Sequence, residues 1–147
     1  MSATSRLLAC CIALIWPQVG IADTREDQLR AGLAAMERQH YATAMRAWYD
    51  LAAAGDPQAQ HNIGYLYEEG LGVAQQYDVA MDWYRRAADG GLAEAEHNLG
   101  MMYVEGRGAA KSWAQGLIYF CKAADKGLTD SRYMICLLYT SDAADER

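Results

Sequence analysis

Two histidines occupy matching places in this chain, which raises the question of a metal site. His61 and His97 are 36 residues apart, and an imidazole nitrogen is a common zinc ligand. On neighbouring packed helices, two such side chains lie about 10 Å apart, which is too far for one zinc ion to bind both. No third ligand is evident beside them. The pattern therefore predicts no metal site.

Motifs that position a nucleophile or a phosphate group are absent. The sequence contains no Ser-x-x-Lys, His-Glu-x-x-His, Gly-x-Ser-x-Gly or Walker-type loop. The Gly70-Leu71-Gly72 and Gly106-Arg107-Gly108 segments lack the preceding strand of a phosphate loop, so they are predicted to be connectors. Cys121 is interpreted as a small packing residue in a helix, with disulfide pairing in an oxidising compartment as the alternative. We therefore predict no catalytic residues.

A repeat of 36 residues positions all of these side chains. The recurring residues are Gly64, Tyr67, Gly70, Gly72, Tyr84, Ala87, Ala88 and Gly91, followed 36 positions later by Gly100, Tyr103, Gly106, Gly108, Phe120, Ala123, Ala124 and Gly127. A fixed period of this length is typical of a solenoid, in which stacked helical pairs bury a shared core. Caps and glycines predict helices near residues 24–38, 41–54, 57–69, 77–89, 93–105 and 112–126. The predicted fold class is all-α.

The repeated residues resemble the Sel-one-like repeat family, which is related to the tetratricopeptide repeats. Its pattern, A-x-x-x-L-G-x-x-Y-x-x-G-x-G-V followed by A-x-x-W-Y-x-x-A-A-x-x-G, appears from Ala59 to Gly91 and again from Ala95 to Gly127. The second copy departs from it at Ala109 and Gly116. The resemblance implies a right-handed α-α superhelix of helical hairpins. It also implies an adaptor or regulator that works through protein–protein contacts, without enzyme activity or a cofactor.

These patterns divide the chain into six segments. Residues 1–22 are predicted to be a signal peptide, with Arg6 before an apolar run and small residues at Gly20 and Ala22. Residues 23–57 are predicted to form a tetratricopeptide-like pair, since the distance from Gly32 to Ala44 is four residues shorter than that from Gly64 to Ala80. Residues 58–92 and 93–128 are predicted to be Sel-one-like repeats. Residues 129–135 would begin a truncated further repeat.

Residues 136–147 are predicted to be foreign to the natural protein. Cys136 to Glu146 resemble the translation of a transposase adaptor used in sequencing libraries. Position 136 also lacks the repeat glycine expected 36 residues after Gly100. The alternative is a genuine helix, because Tyr139 does follow Tyr103 by 36 residues. We therefore expect the natural sequence to be interrupted near Ile135.

One surface is predicted to bind a partner. In repeats of this kind, the first helix of each pair lines the concave face. Side chains that point neither to the partner helix nor to the next repeat are then free to contact a protein or an extended peptide. Counting from the repeat glycine gives Gln58, His61, Tyr65, Glu68, Glu94, His97, Met101 and Val104. The alternative is an ordinary solvated helix face.

Charge and targeting narrow the function further. Loss of residues 1–22, which include Arg6 and no acidic residue, takes the formal charge from −6 to −7. A net acidic chain without basic clusters argues against nucleic acid or an anionic membrane surface as a partner. We predict a periplasmic or secreted protein that acts as a monomer. The alternative is a peptidoglycan-associated protein with penicillin-binding or weak β-lactamase-like activity.

Overall fold

The computed structural model describes residues 24–145 and contains seven α-helices in that range. Their bounds are α1 Arg25–Glu37, α2 Tyr41–Ala53, α3 Pro57–Glu69, α4 Tyr77–Asp89, α5 Ala93–Glu105, α6 Trp113–Asp125 and α7 Thr129–Asp145. Each helix packs against its neighbours along the chain, so α1–α2, α3–α4 and α5–α6 form successive hairpins. Within the described range there is no strand. The predicted all-α solenoid of helical hairpins is confirmed.

The helix ends follow the capping signals in the sequence. Thr24 caps α1 by accepting a hydrogen bond from the Asp27 amide, and Asp56 does the same for α3 through the Ala59 amide. Such caps satisfy amide groups that have no partner inside the helix. Gly70 ends α3 in the left-handed conformation, with φ at 67°, which glycine adopts without strain. The predicted bounds of α1 to α6 agree with the structure to within one or two residues.

A glycine facing an aromatic ring fixes the contact inside each hairpin. A Cβ added to Gly64 would lie 2.8 Å from the Tyr84 ring, and one added to Gly100 would lie 2.6 Å from the Phe120 ring. In the first hairpin, the same atom on Gly32 would lie 2.0 Å from Nε1 of Trp48. The rings are almost completely buried. Glycine therefore recurs in mid-helix because any side chain would displace the ring.

The second glycine of each Gly-x-Gly loop brings one repeat against the preceding one. A Cβ on Gly72 would lie 2.6 Å from Cβ of Tyr41, at the start of α2, and a Cβ on Gly108 would lie 2.6 Å from the carbonyl oxygen of Tyr77. The connection between α1 and α2 spans only residues 38–40, whereas that between α3 and α4 spans residues 70–76. The predicted four-residue difference is therefore present. These loops are packing elements as well as connectors.

The last helix, α7, runs without a break from the predicted start of a further repeat into the predicted adaptor-derived segment, as far as Asp145. The foreign origin of residues 136–147 stays a prediction. Cys121 and Cys136 are exposed free thiols. None of the helices in the described range has both the length and the apolar character needed to cross a membrane. The predicted signal peptide lies outside the described residues.

Candidate functional site

The predicted binding residues all lie on α3 and α5, the first helices of their hairpins, but they differ in exposure. Tyr65 is 41% exposed and Glu94 is also exposed. Gln58, Met101 and Val104 are half-buried. We call the surface formed by α1, α3 and α5 the first-helix surface. Val104 packs against α6, since a Cβ on Gly116 would lie 2.5 Å from its Cγ2, so the prediction that it points away from the partner helix is wrong. The other four of these side chains contribute to the first-helix surface, whereas His61, Glu68 and His97 do not extend freely into solvent.

His61 and His97 connect successive repeats. The Asn98 amide lies 3.0 Å from Nε2 of His61, and the Ser131 hydroxyl lies 2.8 Å from Nδ1 of His97. The prediction that these imidazoles face away from the next repeat is therefore wrong. Burial lowers the pKa of both histidines below the ordinary value, because an apolar environment disfavours the charged ring. The side chains of residues 24–140 include no group of three His, Cys, Asp or Glu that could hold a metal ion.

The pairing of Ser131 with His97 has the elements of a nucleophile and a base. A hydrolase needs such a serine to reach the carbonyl carbon of a substrate. The Ser131 side chain is completely buried between α5 and its own helix, with 0% exposure. Its hydroxyl is therefore placed to hold α7 against α5 and has no access to a substrate.

Among the predicted binding residues, Glu68 differs most from its predicted environment. Only 8% of the residue is exposed, and its carboxylate accepts a hydrogen bond from the Tyr84 hydroxyl at 2.5 Å. The Arg107 guanidinium donates to its other oxygen at 2.6 Å. We call these three residues the Glu68 cluster. Its carboxylate is engaged inside the protein, so the prediction that Glu68 is free to bind a partner is wrong.

The Glu68 cluster joins three different elements. Glu68 lies near the end of α3, Tyr84 lies in α4, and Arg107 lies in the glycine loop after α5. Burial, reinforced by the Glu68 charge, raises the pKa of the Tyr84 hydroxyl far above its ordinary value, so this group stays a hydrogen-bond donor. Arg107 also forms a salt bridge with Glu105. The cluster therefore fastens the loop of one repeat to the helices of the preceding repeat.

A row of apolar side chains, exposed or half-buried, crosses the first-helix surface and continues onto α7. Each member directly follows the mid-helix glycine of its repeat, or the residue in its place: Leu33 follows Gly32, Tyr65 follows Gly64, Met101 follows Gly100, and Leu137 follows Cys136. Leu33 is 52% exposed and Leu137 is 42% exposed. Leu33 is not predicted from the 36-residue period, because the first and second glycines are only 32 residues apart.

An acidic row runs beside the apolar row. Glu37, Glu69 and Glu105 each lie four residues after the apolar member of the same helix, and all three are exposed. Residues four apart are neighbours on one helix face. A surface of this kind offers apolar area with carboxylates along one side, and the carboxylate of Glu105 already forms a salt bridge with Arg107. The repeat phase could have identified the row from sequence, but only Glu68, one residue earlier, was selected.

Comparison with known proteins agrees with this architecture. Residues 57–92 and 93–128 each match the Sel1 repeat family. The chain is a Sel1-repeat protein. Each Sel1 repeat corresponds to one hairpin, α3–α4 or α5–α6, together with the turn that follows it. The match begins at Pro57, the first residue of α3, which is one residue before the predicted boundary at 58.

Two solved structures show the same repeat architecture. The chain is 32% identical to a Sel1 repeat protein from Oxalobacter formigenes over 76% of its length, with a TM-score of 0.71. It is 29% identical, over 80% of its length and with a TM-score of 0.74, to a protective antigen present in uropathogenic Escherichia coli strains, which has an SLR fold. The chain covers only 46% and 26% of these two structures. No curated protein matches the sequence.

Proposed function

We propose that this Sel1-repeat protein is an exported scaffold that binds an extended segment of another protein on its first-helix surface. Sel1 repeats generally mediate protein interactions, which supports a binding role in place of catalysis. The observation that carries the proposal is the pair of parallel rows, one apolar and one acidic, on α1, α3 and α5. We restrict the proposed binding surface to these three helices because α7 contains the predicted adaptor-derived sequence.

The geometry of the rows favours a particular class of segment. Side chains of successive first helices meet, as those of His61 on α3 and Asn98 on α5 do, and helices in such contact lie about 8–10 Å apart. A polyproline II chain advances about 9.3 Å in three residues. An extended segment with an apolar side chain at every third position can therefore place one beside each of Leu33, Tyr65 and Met101. Basic side chains between them complement the acidic row, since opposite charges favour encounter and register.

Synthetic peptides test this proposal directly. The first peptide has leucine at every third position and lysine beside each leucine; the second replaces lysine with glutamate, and the third replaces leucine with serine. We expect saturable binding of the first peptide only, measured by isothermal titration calorimetry, with affinity that falls as salt is added. Equal binding of the glutamate peptide, or no binding of any peptide, would contradict the proposal.

Matched variants locate the binding surface. Tyr65→Ala removes a central aromatic side chain and should weaken binding of the leucine–lysine peptide about tenfold or more. Ile118→Ala removes a similarly exposed apolar side chain from α6 and should leave the affinity unchanged. Glu69→Lys should weaken binding, whereas Asp125→Lys, also exposed but on α6, should have a much smaller effect. Equal losses within each pair would rule out the proposed surface.

Export and oligomeric state are parts of the same proposal. The predicted signal peptide should be removed after Ala22, so that the mature protein begins at Asp23. Amino-terminal sequencing of the protein recovered from the periplasm of a Gram-negative host would identify this residue. A protein retained in the cytoplasm with residues 1–22 intact would contradict export. Sedimentation analysis should give the mass of a monomer.

A further inference from the structure

A polar pocket of about 190 Å³ lies between α4, α5 and α6, on elements apart from the proposed peptide surface. Its lining includes Arg85, Asp89, Glu96, Leu99, Tyr119 and Lys122. Two of these side chains are positive and two are negative, so the pocket has little net charge. At about 30 Å³ for each water in the liquid, its volume corresponds to about six water molecules. It therefore suits a molecule with only a few heavy atoms.

The buried carboxylate of Glu96 points to a ligand with a hydrogen-bond donor. Glu96 is 5% exposed, and its Oε1 accepts a hydrogen bond from Nζ of Lys126 at 2.8 Å. Its Oε2 is buried and accepts no hydrogen bond from the described residues. A buried acceptor without a partner is costly. A donor that enters the pocket and reaches Oε2 would recover that energy.

The cations of the pocket suit the other end of the same ligand. Arg85 donates to Asp82 at 2.9 Å and to the Tyr103 hydroxyl at 3.3 Å, which fixes its guanidinium at the pocket edge. The Lys122 ammonium lies 5.1 Å from the centre of the Tyr119 ring. Both cations can attract an anionic group. A ligand that carries a positive and a negative group close together matches this pocket better than an ion of one sign.

The preceding repeat provides an internal comparison. Thirty-six residues earlier, Gln60 takes the place of Glu96, Tyr49 that of Arg85, Trp83 that of Tyr119, and Arg86 that of Lys122. There the Tyr49 and Trp83 rings meet edge to face, with centroids 6.4 Å apart. The same junction of the solenoid is thus occupied by aromatic side chains in one repeat and lined by charges in the next.

We propose that the pocket between α4, α5 and α6 binds a small zwitterionic α-amino acid. Its ammonium group donates to Oε2 of Glu96 and faces Asp89, and its carboxylate faces Arg85 and Lys122. Leu99 and the Tyr119 ring, which also line the pocket, offer apolar area to a short side chain. This site is independent of the peptide surface, so either proposal can fail without the other.

Alanine and two blocked analogues test the site. Titration of the isotope-labelled protein, followed by its amide resonances in NMR spectra, should show saturable shifts around α4, α5 and α6 with alanine. N-acetylalanine lacks the ammonium group and alanine amide lacks the carboxylate, so each should bind at least about tenfold more weakly. No saturable shift with alanine at millimolar concentrations would overturn the proposal, as would equal binding of all three compounds.

Variants separate a specific site from a general effect on folding. Glu96→Gln preserves the shape and introduces the residue found at the matching position, Gln60, so the fold should tolerate it. It should weaken alanine binding about tenfold or more. Lys122→Ala should also weaken binding, whereas Arg86→Ala at the matching position should not. Unchanged binding in Glu96→Gln, with an unchanged melting temperature, would exclude the proposed role of this carboxylate.

Discussion

The two Sel1 repeats perform the same packing task with different chemistry. In the first, Glu68 and Tyr84 meet as carboxylate and phenol, and Arg107 completes the buried cluster. In the second, the residues 36 positions after Glu68 and Tyr84 are Val104 and Phe120. Both aromatic rings pack against a mid-helix glycine. The comparison shows that this position requires the volume of a ring, whereas the hydroxyl and the charges around it are particular to one repeat.

The polar contacts of the Glu68 cluster in the first repeat have a structural consequence that the apolar pair in the second repeat lacks. Burying an ion pair costs desolvation free energy that the attraction between the charges only partly offsets. We therefore expect the Glu68 cluster to add little to the free energy of unfolding. Arg107, however, belongs to the loop of the following repeat, so the cluster specifies how that loop meets α3. The apolar pair of Val104 and Phe120 fills space without such a directional constraint.

Removing the buried ring of Phe120 should give the largest loss of stability. Phe120→Ala leaves a cavity in the second repeat, and we expect the free energy of unfolding to fall by about 3–5 kcal/mol. Urea denaturation followed by circular dichroism measures this change. Ile118→Ala on the exposed side of the same helix should change it by less than about 0.5 kcal/mol. A loss below about 1 kcal/mol in Phe120→Ala would show that the ring is not required.

Replacing the Glu68 cluster with apolar side chains, like those at the matching positions of the second repeat, tests the comparison between the two repeats most directly. Glu68→Val alone leaves the Tyr84 hydroxyl and the Arg107 guanidinium without their acceptor, and should cost about 1–3 kcal/mol. The triple change Glu68→Val, Tyr84→Phe and Arg107→Leu removes the whole set; Leu71 already occupies the position of Arg107 in the preceding loop. Its stability should return to within about 1 kcal/mol of the parent protein. Additive losses in the triple variant would contradict this interpretation.

A smaller loss of stability is expected at Gly116, whose missing side chain makes room for Val104 in the second repeat. Gly116 replaces the alanine found at position 80, and a Cβ there would lie 2.5 Å from Cγ2 of Val104. Gly116→Ala should therefore destabilise the protein by about 1 kcal/mol, even though alanine favours a helix. In the Val104→Ala background, the cost of the same change should decrease by at least about 0.5 kcal/mol. Equal costs in both backgrounds, measured by denaturation, would show that the two sites are independent.

The smallest expected effect concerns the histidines between repeats. Burial lowers the pKa of His61 and His97 in the folded protein, whereas in the unfolded chain the pKa is about 6.5. The unfolded chain therefore binds more protons, so stability is retained above about pH 6.5 and falls as pH decreases through the lowered folded pKa. Denaturation midpoints at several pH values should show this decline. Replacing both histidines with glutamine should reduce its slope, and an unchanged slope would assign it to other groups.

Much of the fold was predictable because its signals are local. Asp56 with Pro57, Gly70 and the recurring mid-helix glycines mark helix starts, helix ends and close contacts within a few residues of one another. Helical phase also placed Tyr65 and Glu94 on an exposed face. These features depend on backbone geometry that each short segment determines largely by itself.

The parts of the site that were missed depend on contacts distant in sequence. The position of Glu68 around α3 follows from the sequence, but that position does not depend on Arg107. The burial of the Glu68 carboxylate depends on the loop of the next repeat, which carries Arg107 and packs over it. His97 similarly meets Ser131 across a junction between repeats. Leu33 was overlooked for a different reason, because the shorter first hairpin shifts the register by four residues.

The aromatic position opposite each mid-helix glycine also has a consequence for curvature. It holds an indole in Trp48, a phenol in Tyr84 and a phenyl ring in Phe120, so the two helices of successive hairpins enclose rings of different size. Because two helices cannot approach closer than the ring between them allows, this one side chain sets the gap within each hairpin. Exchanging one ring for another would change how sharply the superhelix bends while leaving its outer surface intact.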